Sequence, residues 1–374
     1  MMKKIKLSSM AEIISGQSPQ SCFYNSERNG LPFYQGKKEF SEKYIGLPST
    51  WTTQETKIAQ RNDILMSVRA PVGPVNFATE KCCIGRGLAI IRASEKIDKE
   101  YLFYFLINYQ KYISGHGGAV FDSINKEEIG NIKIPLPAME EQKKIAARLD
   151  AVSDLLAKQK QLLAEQDTLI QSLFYDMFGE HQLSQQKEQW NKISDVAVVA
   201  GGSTPKTQTS EYWDGDLNWF TPAELENCSW YVYFSQRKIT KAGVKSCHLE
   251  EFPINTVLLS SRAPIGKLAI AREAFYCNQG FKNIICGETV NPIYLYHLLM
   301  YNINYMKSLG KGATFKEISK KIVEDIKIPV PPLELQEKFA AIVEQIESEK
   351  SKIKSAIAET QTLFNALMAE YFEE

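Results

Sequence analysis

The sequence is poor in the residues from which catalytic and metal sites are usually built. It has four histidines in 374 residues, and its seven cysteines form no C-x-x-C pair, so neither a zinc cluster nor a disulfide framework is indicated. The adjacent Cys247 and His248 have no second pair at a ligand spacing. No GxxxxGK[ST] loop is present to hold nucleotide phosphates. We therefore predict that the chain holds no metal.

Long apolar runs are also missing. No stretch reaches about 18 consecutive apolar residues, and the lysines of MMKKIKLSSM precede no apolar run, so neither a membrane span nor a secretory signal is expected. We expect a cytoplasmic protein with no membrane partner. The net charge is zero, which taken alone argues against a nucleic-acid partner.

What the chain does contain is an internal repeat. SVRAPVG at residues 67–73 returns as SSRAPIG at 260–266, and GAVFDSINKEEIGNIKIPLP at 118–137 returns as GATFKEISKKIVEDIKIPVP at 312–331. The spacing between matching residues grows from 186 near the start to 193 and then 194. Because the matches keep their order, a unit of about 190 residues is duplicated in tandem. The jump from 186 to 193 places seven extra residues in the second copy, between residues 221 and 256.

Each copy is predicted to be a mixed α and β domain. Runs such as DILMSV, LAIIRA, TVLLSS and KLAIA indicate strands, and YLFYFLINYQKYI and YLYHLLMYNINYM indicate buried helices. The predicted fold class is α+β, with two tandem pseudo-symmetric α/β domains, residues 1–139 and 180–332. They are expected to be separated by two long antiparallel helices, residues 140–179 and 333–374, that form a coiled coil and relate the domains by an approximate two-fold axis.

The coiled coil is predicted from a heptad pattern that follows each copy. Without proline or interior glycine, each helix can run about 40 residues, or roughly 60 Å at 1.5 Å per residue. The alternative, in which each stripe packs on its own domain, is weaker because helices of this length overhang a domain of about 140 residues. The predicted seam residues are Ile145, Leu149, Val152, Leu156, Leu163, Ile170, Leu173, Phe339, Val343, Ile346, Ile353, Ile357, Phe364 and Leu367.

The charges are unevenly distributed along the chain. Residues 1–139 carry 18 Lys and Arg against 13 Asp and Glu, whereas residues 333–374 carry 4 against 9. The globular copies are thus slightly basic, which suits contact with phosphates, although an ordinary solvated surface would look similar. The two-fold arrangement favours DNA, because a protein with two like domains matches two half-sites of a duplex.

Catalysis is not expected. A duplicated enzyme should repeat its catalytic residues, but no histidine of one copy is matched in the other. Ser67 and Ser260 are repeated without a histidine base. VPPL at residues 330–333 lacks the polar and aromatic neighbours that adenine methylation uses, and no Pro-Asp pair suggests a metal-dependent nuclease.

Two repeated features are open to two interpretations. Arg69 and Arg262 precede a Pro-x-Gly turn in each copy; each would hold a backbone phosphate or make structural bonds within its domain, and we favour the structural role slightly. The turns GQSP and GGSTP, the latter with Thr204 and nearby Lys206, would offer amides and hydroxyls to phosphate or serve only as turns.

The ordered series GGSTP, SSRAPIG, CNQGFKNI, GATFKEI and IKIPVPPLELQEKFAAIV resembles the specificity subunit of a type I restriction-modification enzyme, with counterparts GQSP, SVRAPVG, CIGRGLAI, GAVFDSI and IKIPLPAMEEQKKIAARL in the first copy. The likeness covers essentially the whole chain. The first copy departs from the pattern at residues 85–87, GRG instead of NQG, so a shared role for that loop is not implied.

The resemblance implies a subunit that catalyses nothing itself. Each domain would read one half of an interrupted site in double-stranded DNA, and the helices would set the gap. Two modification subunits, which carry S-adenosylmethionine, would bind along the helices, and restriction subunits would join them. No cofactor is expected on this chain.

Sequence discrimination is expected where the copies differ, because different half-sites need different side chains on a common frame. We call residues 36–60 the first recognition segment and residues 222–254 the second. Their candidate DNA contacts are Lys37, Lys38, Lys43, Trp51, Thr53 and Gln54, and Asn227, Tyr231, Tyr233, Gln236, Arg237 and Lys238.

Two other classes of protein remain as alternatives. One is a pseudo-symmetric adaptor whose coiled coil joins protein partners without DNA contact. The other is a nuclease with an unfamiliar site.

Overall fold

The computed structural model describes residues 4–113, 123–179, 183, 190–225, 230–262, 264–310 and 316–373. The chain divides into two units. The first unit comprises residues 1–162 and 353–374, and the second unit comprises residues 163–352. Each unit therefore contains one copy of the repeat and a segment of each long helix.

The first copy contains short strands followed by helices. The strands are β1 (Lys4–Lys6), β2 (Ala11–Ser15), β3 (Tyr24–Asn25), β4 (Leu31–Tyr34), β5 (Trp51–Thr52), β6 (Ile58–Ala59), β7 (Ile64–Ser67), β8 (Val75–Phe77), β9 (Cys82–Ile84), β10 (Leu88–Ala93) and β11 (Lys133–Pro135). The helices are α1 (Lys99–Ile113), α2 (Lys126–Asn131) and the long α3 (Met139–Phe178).

The second copy repeats this order and adds short helices. Its strands are β12 (Asn191–Lys192), β13 (Ala197–Ala200), β14 (Trp213–Phe220), β15 (Tyr231–Val232), β16 (Lys238–Ile239), β17 (Val257–Leu259), β18 (Leu268–Ala271), β19 (Tyr276–Cys277), β20 (Asn283–Cys286) and β21 (Lys327–Ile328). Its helices are α4 (Ile193–Val196), α5 (Lys241–Ser246), α6 (Pro292–Tyr301), α7 (Ile303–Ser308), α8 (Lys320–Glu324) and the long α9 (Leu333–Phe372).

The two copies form corresponding sheets. The first has the antiparallel order β2-β10-β7-β8, and the second has β13-β20-β17-β18 with β15 added in parallel. A second sheet, β3-β5-β4-β9-β6 or β16-β14-β19, includes strands β5 and β6 of the first recognition segment and strand β16 of the second. β7 reads ILMS and is buried throughout, as expected for a strand covered on both faces.

The long helices pack together within each unit. In the second unit Lys350 of α9 lies 2.6 Å from Asp167 of α3, and the Phe339 ring lies 5.5 Å from that of Phe174. This pairing runs antiparallel, because residue number rises along α3 as it falls along α9. In the first unit Arg148 of α3 donates a hydrogen bond to the Tyr371 hydroxyl at 3.1 Å.

The predicted fold class is confirmed, and every predicted seam residue is buried or half-buried. The heptad pattern nevertheless missed four large apolar residues near the helix ends. Phe174, Phe178, Met368 and Phe372 are all buried in the hydrophobic cores. They lie beside the heptad stripe, where each long helix also contacts the globular part of its unit.

The segment YLYHLLMYNINYM is two helices, not the one predicted. α6 ends at Tyr301 and α7 begins at Ile303. The side-chain amide of Asn302 between them donates to the carbonyl of Leu298 at 2.8 Å, and its oxygen accepts from the backbone N–H of Leu183 at 2.8 Å. This side chain competes with the helical backbone and ends the first helix.

Strand pairing locates the extra residues of the second copy. Thr52 of β5 and Ile239 of β16 occupy matching places in the two copies, and so do Ala59 and Phe252. The interval between the matched places is longer in the second copy, so most of the extra residues follow β16, where α5 begins at Lys241. Residues 53–57 of the first copy contain no helix.

Candidate nucleic-acid interface

The repeated GQSP and GGSTP turns are held against the backbone at or just after β9 and β19. A Cβ on Gly16 would lie 2.1 Å from the carbonyl oxygen of Gly85, and one on Gly202 would lie 1.9 Å from that of Cys277. Only glycine permits this approach of two backbones. The hydroxyl of Thr204, within the second turn, donates to the side-chain oxygen of Gln279 at 2.6 Å.

A basic and aromatic cluster forms around Trp213 in the second unit. The guanidinium carbon of Arg237 lies 3.5 Å from the Trp213 ring centroid, and the indole N–H of Trp213 donates to the carbonyl of Lys206 at 3.2 Å. Trp219 meets Trp213 edge to face at 4.9 Å. Lys206 and Arg237 are exposed. Tertiary structure thus brings together two predicted contacts that are distant in the chain.

The rest of the second recognition segment is mostly accessible. Tyr233 is 51% exposed and Gln236 is exposed. Lys238 is half-buried, with its ammonium bonded to the side-chain oxygen of Asn218 and 5.2 Å from the Phe234 ring centroid. Asn227 lies outside the described residues.

In the first unit the predicted contacts differ in exposure. Lys37 and Lys38 are exposed on a 3-10 helix, Lys37–Glu39, and Thr53 is exposed. Trp51 is half-buried in β5 with the Arg28 guanidinium 5.8 Å from its ring centroid. A separate hydrogen bond fixes Gln54, whose side-chain oxygen accepts from the backbone N–H of Gln20 at 2.8 Å.

Lys43 is engaged within the first unit. Its ammonium lies 2.6 Å from Asp150 of α3 and 2.9 Å from Glu100 of α1. Burial lowers the pKa of Lys43, but the hydrogen bonds to Asp150 and Glu100 outweigh it and raise the pKa overall. Asp150 also accepts from the Tyr104 hydroxyl at 2.6 Å. The first recognition segment is thereby attached to the long helix.

Tyr231 attaches the second recognition segment to its long helix. Its hydroxyl donates to Glu344 of α9 at 3.1 Å, and Arg272 lies 3.7 Å above its ring while pairing with Glu344 at 2.6 Å. Glu344 and Asp150 occupy matching positions of the repeat. Sequence reasoning missed both carboxylates, although their matched positions were visible in the repeat.

The repeated arginines differ from the nearby serines in their side-chain contacts. Among the described residues, neither the Arg69 nor the Arg262 guanidinium has a hydrogen-bond or ion-pair partner, and Arg69 is exposed. Their backbones bridge to Ser123 and Glu317. The adjacent serine hydroxyls face inward: Ser260 donates to the carbonyl of Pro264 at 2.7 Å.

Reactive groups are scarce in the part of the chain that the structure describes. No cluster of three or more His, Cys, Asp or Glu there could hold a metal ion. Burial raises the pKa of the Cys82, Cys277 and Cys286 thiols to about 12, so these thiols stay protonated at neutral pH. No described helix is both long and apolar enough to cross a membrane.

Comparison with known proteins assigns the family. The sequence model of the type I restriction modification DNA specificity domain matches residues 1–166 and 187–360. The chain therefore belongs to the type I restriction-modification DNA specificity family.

Curated relatives agree with this assignment. The MjaIX specificity subunit of Methanocaldococcus jannaschii is 42% identical over 172 residues, which are 44% of this chain and 40% of that protein. The MjaX specificity subunit of the same organism, described as putative, is 51% identical over 147 residues, 39% of this chain and 34% of that protein. These two alignments thus span well under half of each relative.

Solved structures share the fold. The type I restriction-modification S subunit from M. genitalium matches 100% of this chain and 96% of its own, with a TM-score of 0.62 and 16% identity. A chain from a structural study of complex assembly in a type I system covers 99% of this chain and 97% of its own, with a TM-score of 0.61 and 20% identity.

Proposed function

We propose that the chain is the non-catalytic, sequence-reading subunit of a type I restriction-modification complex. Each unit reads one half of a bipartite site in double-stranded DNA, and the long helices set the gap between the halves. The observation that carries this proposal is the contrast within the repeat. The sheets β2-β10-β7-β8 and β13-β20-β17-β18 correspond strand for strand, whereas the recognition segments differ in length, charge and aromatic content.

The candidate contacts divide by chemistry. Cations and hydroxyl groups suit phosphates, and each phosphate that a cation neutralises releases counterions and makes binding depend on salt. Base edges carry the sequence information, and the aromatic, amide, hydroxyl and cationic side chains of the recognition segments offer apolar faces, donors and acceptors to them. The proposed phosphate contacts are Lys37, Lys38, Arg69, Thr204, Lys206 and Arg262, and the proposed base contacts are Trp51, Thr53, Gln54, Asn227, Tyr233, Gln236, Arg237 and Lys238.

Lys43 and Tyr231 have a different part in this proposal. Each is bonded to a carboxylate on a long helix, Asp150 or Glu344. An ammonium already shared by two carboxylates gains little from a phosphate. We therefore give these two residues the task of fixing the recognition segment against its helix.

The long helices are the proposed docking sites of two modification subunits, which would carry S-adenosylmethionine and be joined by restriction subunits. In the first unit Leu155 and Leu162 of α3, one heptad apart, are 47% and 43% exposed, and Leu363 of α9 is 50% exposed. A heptad-spaced apolar row on a helix surface is suited to another helix. The cytoplasm is the proposed location.

An exchange of residues 1–139 for the matching region of a relative tests the proposal. The chain would be co-expressed with its modification subunits, and methylated bases would be mapped in the host genome. We expect one half of the recognised sequence to change while the other half and the gap remain. A change in both halves would refute the modular reading, and insertion of one heptad in each long helix should alter only the gap.

Purified complexes separate this proposal from the alternatives. With modification subunits present, we expect DNA binding that weakens steeply with salt, and Arg237→Ala should weaken it more than the exposed control Lys241→Ala. Assembly with protein partners but no DNA binding at any salt concentration would favour the adaptor. Metal-dependent cleavage of DNA by the chain alone would favour the nuclease.

A further inference from the structure

Leu47 and Phe234 are the most exposed large apolar side chains in the described part of the chain, at 90% and 71%. One exposed leucine on a protein surface carries little information. Two such residues at the same place in both copies would carry more, because the recognition segments have otherwise diverged.

The sheet pairings show that the two places correspond. Tyr44 bridges in parallel to Phe77, and Tyr231 pairs in parallel with Ile270, the residue that matches Phe77 in the repeat. Tyr44 therefore matches Tyr231. Leu47 lies three residues after Tyr44, and Phe234 lies three residues after Tyr231.

Strand pairing at the far end of the loop, residues 44–51 in the first unit and 231–238 in the second, gives the same alignment. β5 pairs antiparallel with β4 as β16 pairs with β14, so Trp51 opposite Pro32 matches Lys238 opposite Asn218. The stretch from Tyr44 to Trp51 is as long as the stretch from Tyr231 to Lys238. No residue is inserted between the two anchors, and Leu47 therefore matches Phe234.

In both units a glutamate carboxylate accepts a hydrogen bond from the loop. In the first, the Ser49 hydroxyl donates to the Glu39 carboxylate at 2.9 Å. In the second, the backbone N–H of Gln236, which corresponds to Ser49, donates to the Glu224 carboxylate at 2.7 Å. Glu39 and Glu224 both belong to the 3-10 helix that precedes the loop. An anchored tip loses little conformational entropy when it binds.

Both loops have cations on the loop itself or on the 3-10 helix that holds it. Lys238 lies 5.2 Å from the Phe234 ring centroid, and the nearby Arg237 is exposed. In the first unit Lys37 and Lys38 are exposed on the 3-10 helix that holds the loop. An apolar residue flanked by positive charge suits a base step, where the phosphates lie on either side of the stacked bases.

We propose that Leu47 and Phe234 are apolar wedges, one per unit, each of which inserts against a base step of duplex DNA and partly unstacks it. Leucine and phenylalanine are among the residues that proteins use in this way. This inference rests on the proposed function, since it requires that each recognition segment binds DNA. Besides the contacts that read base edges, each unit would then make a contact that bends or opens the duplex.

The test uses the chain assembled with its modification subunits and a duplex containing the target identified by methylation mapping. Duplexes carry 2-aminopurine, whose fluorescence rises on unstacking, at successive steps of one half-site at a time. We expect the wild type to raise the fluorescence at one step per half-site. Phe234→Ala should abolish the rise in one half only and weaken binding about tenfold or more, and Leu47→Ala should do so in the other half.

Conservative and control variants complete the test. Phe234→Leu and Leu47→Phe should retain the fluorescence rise, because either side chain can act as a wedge. Val198→Ala, which removes a 61% exposed apolar residue of β13 that lies outside the recognition segment of the second unit, should change nothing. Circular dichroism before DNA addition shows whether each variant is folded.

The outcomes separate the two levels of the proposal. Failure of the wild-type complex to bind DNA sequence-specifically would refute the proposed function itself. Sequence-specific binding with unchanged affinity and fluorescence in both alanine variants would refute only the wedges. Loss of modification-subunit binding in those variants, without DNA present, would instead make the tips a protein-docking surface and also overturn the wedge proposal.

Discussion

The two units place different chemistry at matching positions behind their recognition segments. In the first unit Tyr104 donates to Asp150, which also pairs with Lys43. In the second unit the residue that matches Tyr104 is His297, which is 4% exposed. Among the described residues, neither ring nitrogen of His297 has a hydrogen-bond partner. The rings around it are those of Trp230, Tyr296, Tyr301 and Phe339.

This difference shows what the duplication preserves. Both units retain a carboxylate on the long helix and a cation that pairs with it, although the cation comes from different strands and loops. The polar network behind the first segment is replaced by an aromatic core behind the second. The frame is thus kept while its interior chemistry changes, and the following predictions use the differences between the units.

The largest expected effect concerns two buried glutamines that both units share. Gln142 accepts from the backbone N–H of Asp98 and donates to the carbonyl of Pro137. Gln336 accepts from Asn291 and donates to the carbonyls of Thr289 and Pro331. Replacement by methionine keeps the volume but leaves these groups unpaired, which should cost about 2–4 kcal/mol of unfolding free energy.

Gln336→Met should be the more damaging of the two because it leaves one more carbonyl without a hydrogen-bond donor. Denaturant titration of each variant measures the loss, with the exposed Gln171→Met as a control that should stay within about 0.5 kcal/mol of wild type. Equal losses would mean that the third hydrogen bond of Gln336 contributes nothing.

Acid should affect the second unit more than the first. Burial, with a smaller contribution from Lys350, lowers the pKa of His297 to about 3. Its stabilising contribution is therefore present above the ordinary histidine pKa near 6.5 and is lost as the pH falls toward 3. At pH 5 the loss should reach about 2 kcal/mol, at 1.4 kcal/mol per pH unit.

Hydrogen exchange in the full chain at pH 7 and pH 5, after correction for intrinsic exchange rates, reports each unit separately. We expect protection to fall more in peptides of the second unit, and His297→Phe should remove that difference. The exposed His248→Asn is the control. An unchanged acid response in His297→Phe would contradict the assignment.

The carboxylates on the long helices should contribute less. Asp150→Asn weakens the pairing with Lys43, and Glu344→Gln weakens that with Arg272. Asp150 is the less exposed, 30% against 47% for Glu344, so we expect about 1–2 kcal/mol for Asp150→Asn and less for Glu344→Gln. Thermal unfolding of both, beside the exposed Glu334→Gln, measures the order; a larger loss in Glu344→Gln would reverse the comparison.

Alkali should give the smallest effect. Since the pKa of Lys43 is raised in the folded protein, its contribution is complete below the ordinary lysine pKa near 10.4 and is lost as the pH rises through the folded value. Above about pH 10.5 the first unit should lose about 1 kcal/mol or less. Hydrogen exchange near pH 11, compared with Lys43→Met, checks this loss, which the variant should not show.

Prediction from sequence succeeded where a pattern is local. The heptads predict both long helices to within two residues of their observed ends, and LAIIRA is strand β10 as expected. Prediction failed where a single side chain ends a helix, as Asn302 does between α6 and α7. In the candidate interface, sequence singled out Arg237 and Lys206 but not the tryptophan that both contact.

The sequence by itself determined the duplication, the strand and helix types and the long helices, because these follow from order and periodicity along the chain. Only tertiary structure decided which polar side chains face solvent and which bind inside a unit, as Lys37 and Lys43 show. The physical reason is that a charge is neutralised by whichever residues the fold brings within a few ångströms. Composition and spacing contain no record of those distances.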